Sequence, residues 1–587
     1  MLLFFVVSLK AQSPVPNTCT NLPATDALDR KLPAYQEVGP PRKDRFVGLF
    51  YWTWHTAQAN NPPYNTSQIL ARHPEALRDY EHPAWPKANS PFFWSEPLFG
   101  YYRDTDDWVL RRHAEMLADA GVDVIIFDCT NGNLTWEESY MELCKVFEQA
   151  RKEGVKTPQI AFILAFGPTE GSMQAIEKIY NHLYKPGLYK DLWFYWKGKP
   201  LIMAYPEMLK DVPGDTAATN LHQEIREFFT FRPGQPVYDK GPAHPDQWGW
   251  LQIYPQHGFV KKADGSFEQM TVGVAQNWSK ERGLTAMNAP GVFGRSYTNA
   301  RGHISEPGAV NHGYNFQEQW DHALKADPEF IFITGWNEWI AGRYKMWQQQ
   351  ENAFPDECNE EGSRDIEPMK GGHGDDYYYQ MVANIRRFKG MPPEQPASAP
   401  QTISLQDFGP WESVLPAFRS PEGNTLHRDS PGWKGYHYTN NTGRNDIVLA
   451  KVVRNDKYVY FYVQTAQALT PHTDPKWMRL FIDVDRNKKT GWEGYDYVVN
   501  RRSPGQKAIL EKSLSGWHWK EAGQVDYNVE DNKLVIRIPR KMLGIHDAVD
   551  LEFKWSDNMQ KDGDIMDFWL NGDVAPAGRF NFHYKAD

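Results

Sequence analysis

The sequence predicts an α/β protein with a (β/α)8 TIM barrel followed by an all-β sandwich, and three observations lead to this fold class. The chain has 587 residues, which is too many for one hydrophobic core, so two folded domains are expected. From about residue 45 to 390, nearly continuous apolar runs alternate with amphipathic helical patterns, as expected for parallel strands buried on both faces. Farther along, apolar and polar residues alternate between turn signals, which is typical of antiparallel sheets.

The barrel domain is predicted to span residues 40–392. Its predicted strands cover residues 45–54, 122–131, 158–167, 200–207, 248–256, 270–278 and 329–339. Its predicted helices cover residues 105–120, 135–153, 172–184, 219–229, 315–326 and 375–390. The fifth helix opens with Asn315 and Glu318 at the spacing of a capping box. A doubly wound open sheet is the alternative, but no Gly-rich phosphate loop follows the first strand, so we favour the barrel.

The N-terminal residues 1–12, MLLFFVVSLKAQ, resemble a truncated secretory signal peptide. An apolar run at Leu2–Val7 is followed by small and polar residues. A run of this length cannot cross a bilayer, which takes ~20 apolar residues. We therefore expect a secreted, periplasmic or cell-surface protein with no membrane span.

The second domain follows a linker at residues 393–404, which is rich in Pro and Ser. The sandwich is predicted over residues 405–587. Its strand candidates, in which apolar and polar residues alternate, cover residues 446–466, 477–485, 494–502, 533–543 and 549–558.

Composition narrows the class of partner. The net charge of −10 and the pI near 6.0 come without a basic run that could neutralise phosphates, which argues against nucleic acid. Aromatic residues make up 14% of the chain, and flat aromatic faces pack well against the C–H faces of sugars. A large aromatic core explains the same composition, so both interpretations stay open. Nothing in the sequence indicates an oligomeric state.

Polar and aromatic residues stand at the C-terminal ends of the predicted barrel strands, which is where barrel enzymes carry their chemistry. Convergence at one rim makes them candidates for binding substrate. The candidates are Trp52, Trp54, His55, Asn131, Tyr254, Asn277, Trp278, Trp336, Asn337, Trp339 and Arg343.

Three carboxylates at the same strand ends are candidate catalytic residues, in the order Glu338, Asp128, Glu207. Hydrolysis of a glycosidic bond typically needs two carboxylates, one that protonates the leaving oxygen and one that acts as base or nucleophile. The alternatives are an ion pair of Glu338 with Arg343, a structural role for Asp128, and a Glu207 that Pro206 turns out of the pocket. Because side chains alternate along a strand, Asp128 shares one face with Ile126, and it enters the pocket if that face is the barrel interior.

The sequence GWNEW at 335–339 resembles the Trp-Asn-Glu-Trp motif of glycoside hydrolase family 99, which includes endo-α-mannosidases and endo-α-mannanases. The resemblance covers residues 45–390 loosely. It implies that Glu338 assists deprotonation of a sugar 2-hydroxyl and that a second glutamate, three residues later, is the general acid/base. Ala341 occupies that second position, so either another strand end supplies the missing acid, with Asp128 as the preferred substitute, or the chemistry differs.

The insertion at 363–380 offers Asp365 and Glu367 as further carboxylates. We expect these two residues to serve a substrate loop or a structural role instead.

The segment at 480–501 resembles carbohydrate-binding modules of family 9. The resemblance implies that Trp492 and Tyr495 contact sugar, although Trp492 fits a hydrophobic core equally well. Asp483, Asp485 and Asp496 are oxygen donors of the kind that calcium prefers, and an ordinary Asp-rich turn is the alternative. No cofactor is expected to be required for catalysis.

The leading hypothesis is a secreted glycoside hydrolase that acts on a polysaccharide or glycan. The alternative is a non-catalytic carbohydrate-binding surface protein with a degenerate barrel site, as Ala341 allows. A barrel enzyme with other sugar chemistry, such as glycosyl transfer, is the third. Two carboxylates about 5–10 Å apart on one cavity favour hydrolysis, whereas Glu338 alone favours binding.

Overall fold

The computed structural model describes residues 21–56, 62–86 and 92–587. The expected signal peptide at residues 1–12 lies outside these residues. In the described part of the chain, no helix combines the length and the apolar character that crossing a membrane requires.

A sheet of parallel strands forms the centre of the first domain. In spatial order it runs β6–β7–β1–β2–β3–β4–β5, and every neighbouring pair is parallel. The strands are β1 (Phe46–Tyr51), β2 (Val124–Cys129), β3 (Gln159–Leu164), β4 (Lys199–Met203), β5 (Thr230–Phe231), β6 (Phe267–Gly273) and β7 (Phe330–Thr334). The predicted alternation of buried parallel strands with helices is confirmed.

The backbone pairing leaves the sheet open between β5 and β6. A further short strand, Gly234–Gln235, pairs in parallel with Trp248–Gly249. The Gln269 side chain of β6 then accepts a hydrogen bond from Gly249 N at 3.0 Å and donates one to Gly249 O at 2.9 Å. A side-chain amide therefore joins this separate two-stranded sheet to β6, where no backbone ladder does.

The inner face of the sheet is a cluster of apolar side chains, and the outer face packs on the helices. Phe50, Ile126 and Phe332 belong to the inner cluster, whereas Ile125 and Phe127 belong to the outer core. Since side chains alternate along β2, the carboxylate of Asp128 continues the inner row.

Among the described residues, six helices have ten or more residues. They are α1 (Asp107–Ala120), α2 (Glu137–Lys152), α3 (Glu170–Ile179), α4 (Thr216–Phe228), α5 (Tyr314–Ala326) and α6 (Asp376–Lys389). Three shorter helices cover Tyr35–Val38, Thr66–Arg72 and Asp567–Leu570. Side-chain caps fix several starts: Asp106, for example, accepts a hydrogen bond from Val109 N at the start of α1.

The predicted capping box at the start of α5 is wrong. The helix begins after Gly313, whose φ of 61° is left-handed, and no side chain caps it. The Asn315 side chain is instead paired with Gln276, and Glu318 accepts from Asn299 N. Tertiary partners therefore took the two side chains that the local pattern assigned to the cap.

The second domain is built from antiparallel strands. They cover Ala417–Arg419, Arg428–Pro431, His437–Asn440, Ile447–Arg454, Tyr458–Thr465, Arg479–Asp483, Tyr497–Val499, Ala508–Ser515, His518–Glu530, Lys533–Pro539, Val549–Asp557, Asp573–Ala575 and Phe582–Ala586. The long strand His518–Glu530 pairs with Ala508–Ser515 at one end and with Lys533–Pro539 at the other. Phe461 lies on the strand Tyr458–Thr465 and Phe553 on the strand Val549–Asp557, and their ring centroids are 5.6 Å apart. Two layers of strands therefore pack face to face.

Buried polar contacts tie this second domain to two segments of the first domain. Arg579 Nε lies 2.9 Å from Asp375 Oδ1, and Trp569 Nε1 donates to Asp375 Oδ2 at 3.1 Å. Arg428 Nε donates at 2.8 Å to Asp106, the residue that caps α1. The second domain thus braces the segments just before α1 and just before α6.

Candidate active site

The Trp-Asn-Glu-Trp turn follows β7 and packs across the end of β1. A Cβ at Gly335 would lie 2.2 Å from the Trp52 ring, so only glycine allows this approach. Asn337 Oδ1 accepts from Trp52 N at 3.0 Å, and Asn337 Nδ2 donates to Trp52 O at 3.2 Å. The amide of the motif therefore serves as a backbone partner for β1.

Both tryptophans of the turn are fully enclosed, at 0% exposure. Trp339 stacks on Trp94 with ring centroids 4.9 Å apart, and Trp336 packs at 5.5 Å against His113 of α1. The sequence analysis expected these rings to contact sugar. The structure instead places them inside the protein, because neighbouring segments cover both of their faces.

The two carboxylates of the 363–380 insertion hold this turn in place. Glu367 accepts hydrogen bonds from Tyr102 at 2.8 Å, from His113 Nε2 at 2.9 Å and from Trp339 Nε1. Asp365 accepts from Glu338 N and, at 2.6 Å, from Trp94 Nε1. Burial raises the pKa of Asp365 to about 7. Both acids are fully buried, so their contacts are structural.

Glu338 is 3% exposed, and its charge partner is Arg364. Arg364 Nη2 donates to Glu338 Oε2 at 2.9 Å. The suggested ion pair with Arg343 is wrong: Arg343 Nη1 donates to Tyr80 O at 2.9 Å and to Asn352 Oδ1 at 2.8 Å. Arg364 carries no local sequence signal, because only the folding of the segment after the motif brings it beside Glu338.

Two more carboxylates contact the same guanidinium. Asp356 Oδ1 lies 3.5 Å from Arg364 Nη2, and Glu357 Oε1 lies 3.7 Å from Arg364 Nε. The single positive charge of Arg364 cannot neutralise three neighbouring carboxylates. Burial accordingly raises the pKa of Glu338 well above its usual range; Arg364 opposes this shift, and the charges of Asp356 and Asp365 add to it.

Asp356 differs from the other acids of the cluster in its exposure. Its side chain is 43% exposed, against 4% for Glu338 and 0% for Glu357. Since Glu338 Oε2 and Asp356 Oδ1 lie 2.9 and 3.5 Å from one nitrogen, they are at most about 6.4 Å apart, the sum of the two distances. A buried and a half-exposed carboxyl group therefore share one polar site.

Asp128 lies near this pair. It is 4% exposed, on the inner face at the end of β2, and its Oδ1 accepts from Thr130 N at 3.0 Å. Burial raises the pKa of Asp128, and the charge of Asp356 adds to that shift as it does for Glu338. Asp356 is therefore close enough to act on both carboxyl groups.

The third carboxylate candidate, Glu207, is exposed in the turn Pro206–Met208 after β4. Asn131 is exposed in the turn after β2. No hydrogen bond or ion pair between described residues joins either side chain to Glu338 or Arg364.

A row of aromatic rings runs beside the carboxyl cluster. Successive ring centroids are 5.3 Å apart for Phe166 and Trp250, 5.8 Å for Trp250 and Tyr238, and 6.1 Å for Tyr238 and Trp278. Phe166, Trp250 and Trp278 are partly exposed. Burial raises the pKa of Tyr238, and the charges of Arg364 and Asp356 also act on it, so the row adjoins the charged site.

Of these rings, the sequence analysis singled out only Trp278. The amide of its neighbour Asn277 acts to lower the pKa of Tyr238. Trp250 stands in the aromatic run WGW at 248–250, and that run was the available signal.

The remaining candidates of the first domain have surroundings of their own. Trp52 is 2% exposed and belongs to the inner core, while Trp54 is partly exposed with its ring 6.4 Å from Trp136. His55 is 1% exposed, and burial lowers its pKa to about 3. Tyr254 packs at 5.5 Å against His322 of α5.

The aromatic candidates of the second domain are core residues. Trp492 and Tyr495 are 5% and 2% exposed and pack against Phe481 at 5.6 and 5.3 Å. Tyr495 also donates to Asn581 Oδ1 at 2.6 Å. The rings that the resemblance assigned to sugar therefore fill the interior.

The three aspartates of the second domain do come together. One carboxylate oxygen from each of Asp483, Asp485 and Asp496 lies within 4.8 Å of the other two. Burial, and then the charge of Glu552, raises the pKa of Asp483 to about 8. This all-oxygen donor set fits a hard cation such as calcium.

No protein-family model matches this chain, and no curated protein matches it. Two solved structures of the family 99 endo-alpha-mannosidase from Bacteroides thetaiotaomicron, one in complex with BIS-TRIS-propane, are similar to it at 15% identity and a TM-score of 0.34. The similarity covers 59% of this chain and 97% and 98% of the mannosidase chains. Similarity at this identity and TM-score does not indicate an activity for this chain.

Proposed function

We propose that this chain is a glycoside hydrolase that cleaves glycosidic bonds in a polysaccharide or glycan. One observation supports the proposal above all others: Glu338 and Asp356 contact the same Arg364 nitrogen at 2.9 and 3.5 Å, beside a row of partly exposed aromatic rings. Paired carboxylates are what hydrolysis of a glycosidic bond uses, and aromatic faces suit sugar rings.

The electrostatics of the pair suit acid–base chemistry. Glu338 is enclosed and its pKa is raised, so it holds its proton to a higher pH than an ordinary carboxyl group does and can donate it to a leaving oxygen. The second carboxylate must be ionised: the charge of Asp356 acts on Glu338, and it also acts on Asp128, the other candidate. Arg364 offsets the negative charge that develops when Glu338 loses its proton.

The fold of the first domain forms part of the proposal. We infer that the parallel strands β1–β7, with Gly234–Gln235 continuing β5 and Trp248–Gly249 as one more strand, form a (β/α)8 barrel closed by Gln269. Glu338 and Asp128 then stand at the rim where the strands end, the side on which such barrels carry their chemistry. Export to the cell surface, the periplasm or the medium is likewise proposed, from the N-terminal residues alone.

The substrate class follows from the rings beside the carboxyl cluster. Phe166, Trp250 and Trp278 form a partly exposed apolar strip, which fits several sugar units better than a small polar molecule. Tyr238 and Asn277 add hydroxyl and amide groups that can bond to sugar hydroxyls.

A carbohydrate-binding protein without catalysis is the second candidate. Ala341 favours it, because the position that the family 99 motif gives to an acid carries none here. In that case the rings would retain glycans and no bond would be cleaved.

A panel of aryl α- and β-glycosides, together with polysaccharides of different composition, tests the two candidates. We expect turnover of at least one glycoside, and loss of that turnover in Glu338→Gln. Asp531→Asn is the matched control, because it makes the same kind of change in an exposed turn of the second domain. Retention of a glycan without release of any product would instead support the binding protein.

The second domain is proposed to brace the barrel and to hold a structural calcium ion. Asp483, Asp485 and Asp496 would hold the ion through carboxylate oxygens. The ion's positive charge would relieve the repulsion among these acids, and no step of the hydrolysis passes through it.

A further inference from the structure

We propose that Asp356 is the second catalytic carboxylate: it attacks the anomeric carbon while Glu338 protonates the leaving oxygen, so that hydrolysis proceeds with net retention. The assignment rests on the proposed function. It adds the identity of the nucleophile and the stereochemical outcome.

The distance between the two carboxyl groups supports retention. Glu338 Oε2 and Asp356 Oδ1 are at most about 6.4 Å apart, because both contact Arg364 Nη2, at 2.9 and 3.5 Å. Retaining enzymes hold their carboxyl groups about 5–5.5 Å apart, whereas inverting enzymes need about 6.5–9.5 Å to admit a water molecule. The bound on this pair of oxygens lies below the inverting range, so the geometry favours retention.

The environments of the two carboxyl groups decide which is the acid. The Glu338 side chain is 4% exposed, whereas that of Asp356 is 43% exposed and in contact with Arg364. Burial raises the pKa of the enclosed Glu338 carboxyl group and favours its protonated form, whereas the Asp356 carboxyl group is open to an incoming sugar. Glu338 is thus the proton donor and Asp356 the nucleophile.

Asp128 is a poorer choice for the nucleophile. It is 4% exposed, and its Oδ1 is already bonded to Thr130 N at 3.0 Å. None of the contacts between described residues joins it to Arg364.

The chain path explains how Asp356 supplies a second carboxylate beside Glu338 although Ala341 carries none. After Ala341 the chain forms a hairpin, Tyr344–Trp347 paired with Gln350–Ala353, and then returns to Arg364. The hairpin thereby delivers a carboxylate from fifteen residues beyond Ala341 to the side of Glu338.

The reaction balances in two steps. An oxygen of Asp356 forms a bond to the anomeric carbon as the bond from that carbon to the leaving oxygen breaks, and the leaving oxygen takes the proton of Glu338. In the second step, water transfers a proton to Glu338 while its oxygen attacks the anomeric carbon, and the bond to Asp356 breaks. The carboxylate of Asp356 and the proton of Glu338 are both regenerated.

Azide rescue and trapping test the assignment on the full chain, with whichever aryl glycoside of the panel is cleaved. We expect Asp356→Asn to lose about 10²–10⁴-fold in kcat while its thermal unfolding stays like that of the wild type. Azide should restore turnover and give a glycosyl azide of inverted configuration. Glu338→Gln with azide should give the retained configuration, and Asp531→Asn should keep the wild-type rate.

In the wild-type protein, the matching 2-deoxy-2-fluoroglycosyl fluoride should attach its sugar to the peptide that contains Asp356.

Three results would overturn the assignment while leaving the proposed function intact. They are an inverted product by NMR, activity of Asp356→Asn within a few-fold of wild type, and a trapped sugar on the peptide that contains Asp128. Trapping uses the wild-type protein, so the test holds even if Asp356→Asn fails to fold. Failure of the wild type to cleave any glycoside of the panel would overturn the proposed function, and this assignment with it.

Discussion

Arg364 donates a hydrogen bond to Glu338 at 2.9 Å, although the two residues are 26 positions apart in the chain. The same guanidinium contacts Asp356 and Glu357. This relationship determines both the charge of the candidate site and the stability of the turn that carries Glu338.

Replacing Arg364 with Met should destabilise the fold by about 3–5 kcal/mol at neutral pH, since it leaves buried carboxylates without their cation. The loss should shrink in acid, because protonation removes the uncompensated charge. Urea unfolding at about pH 5 and about pH 8 measures both effects. Arg301→Met, at an exposed position, serves as the control. An equal loss at both pH values would contradict the charge-based explanation.

Glu338→Gln should lower kcat by about 10²–10⁴-fold, because the amide keeps the shape of the side chain but cannot transfer a proton. Its melting temperature should stay close to that of the wild type, since the amide oxygen can still accept the hydrogen bond from Arg364. Kinetics on a cleaved glycoside and thermal unfolding check the two parts. Activity within a few-fold of wild type would move the acid role to another residue.

Trp278→Ala should weaken glycan binding by about 0.5–1.5 kcal/mol, since a partly exposed ring is lost from the row beside the carboxyl cluster. The KM for an oligosaccharide should rise more than kcat falls.

Trp492→Ala should instead lower stability without affecting glycan binding. It should cost about 3–5 kcal/mol of stability, because the ring is 5% exposed and packed in a core, and it should leave KM unchanged. A changed KM in Trp492→Ala would restore a sugar-binding role to the second domain.

Asp483→Asn should change how stability depends on pH. The folded-state pKa of Asp483 is raised to about 8, above the value of about 3.9 in an unfolded chain, so this group costs stability as pH rises from about 4 to about 8. The variant should therefore gain on the wild type over that range in chelator. Calcium should stabilise the wild type and have a smaller effect on the variant. Parallel pH profiles of melting temperature in chelator would contradict the prediction.

Local pattern was sufficient for the strands and helices of the first domain. Apolar runs and amphipathic periods identified the parallel strands except Thr230–Phe231 and its continuation Gly234–Gln235. That segment escaped detection because each piece has only two residues, and Arg232 and Pro233 interrupt the apolar run. The sequence also placed Asp128 on the same face as Ile126, because the side-chain period of two is a property of the strand itself, but the structure decided that this face is the inner one.

The composition of the candidate site was decided by tertiary structure. Glu338 could be chosen from its place at a strand end, but Asp356 and Arg364 carry no local signal, and only the hairpin and the return of the loop bring them to Glu338. Trp336 and Trp339 looked like exposed rings in the sequence and are enclosed in the structure. Strand periodicity is set by each residue's nearest neighbours along the chain, whereas burial and charge pairing are set by segments that are distant in sequence. The sequence by itself therefore determined where the strands run and end, and only the packing of the loops decided which side chains meet there.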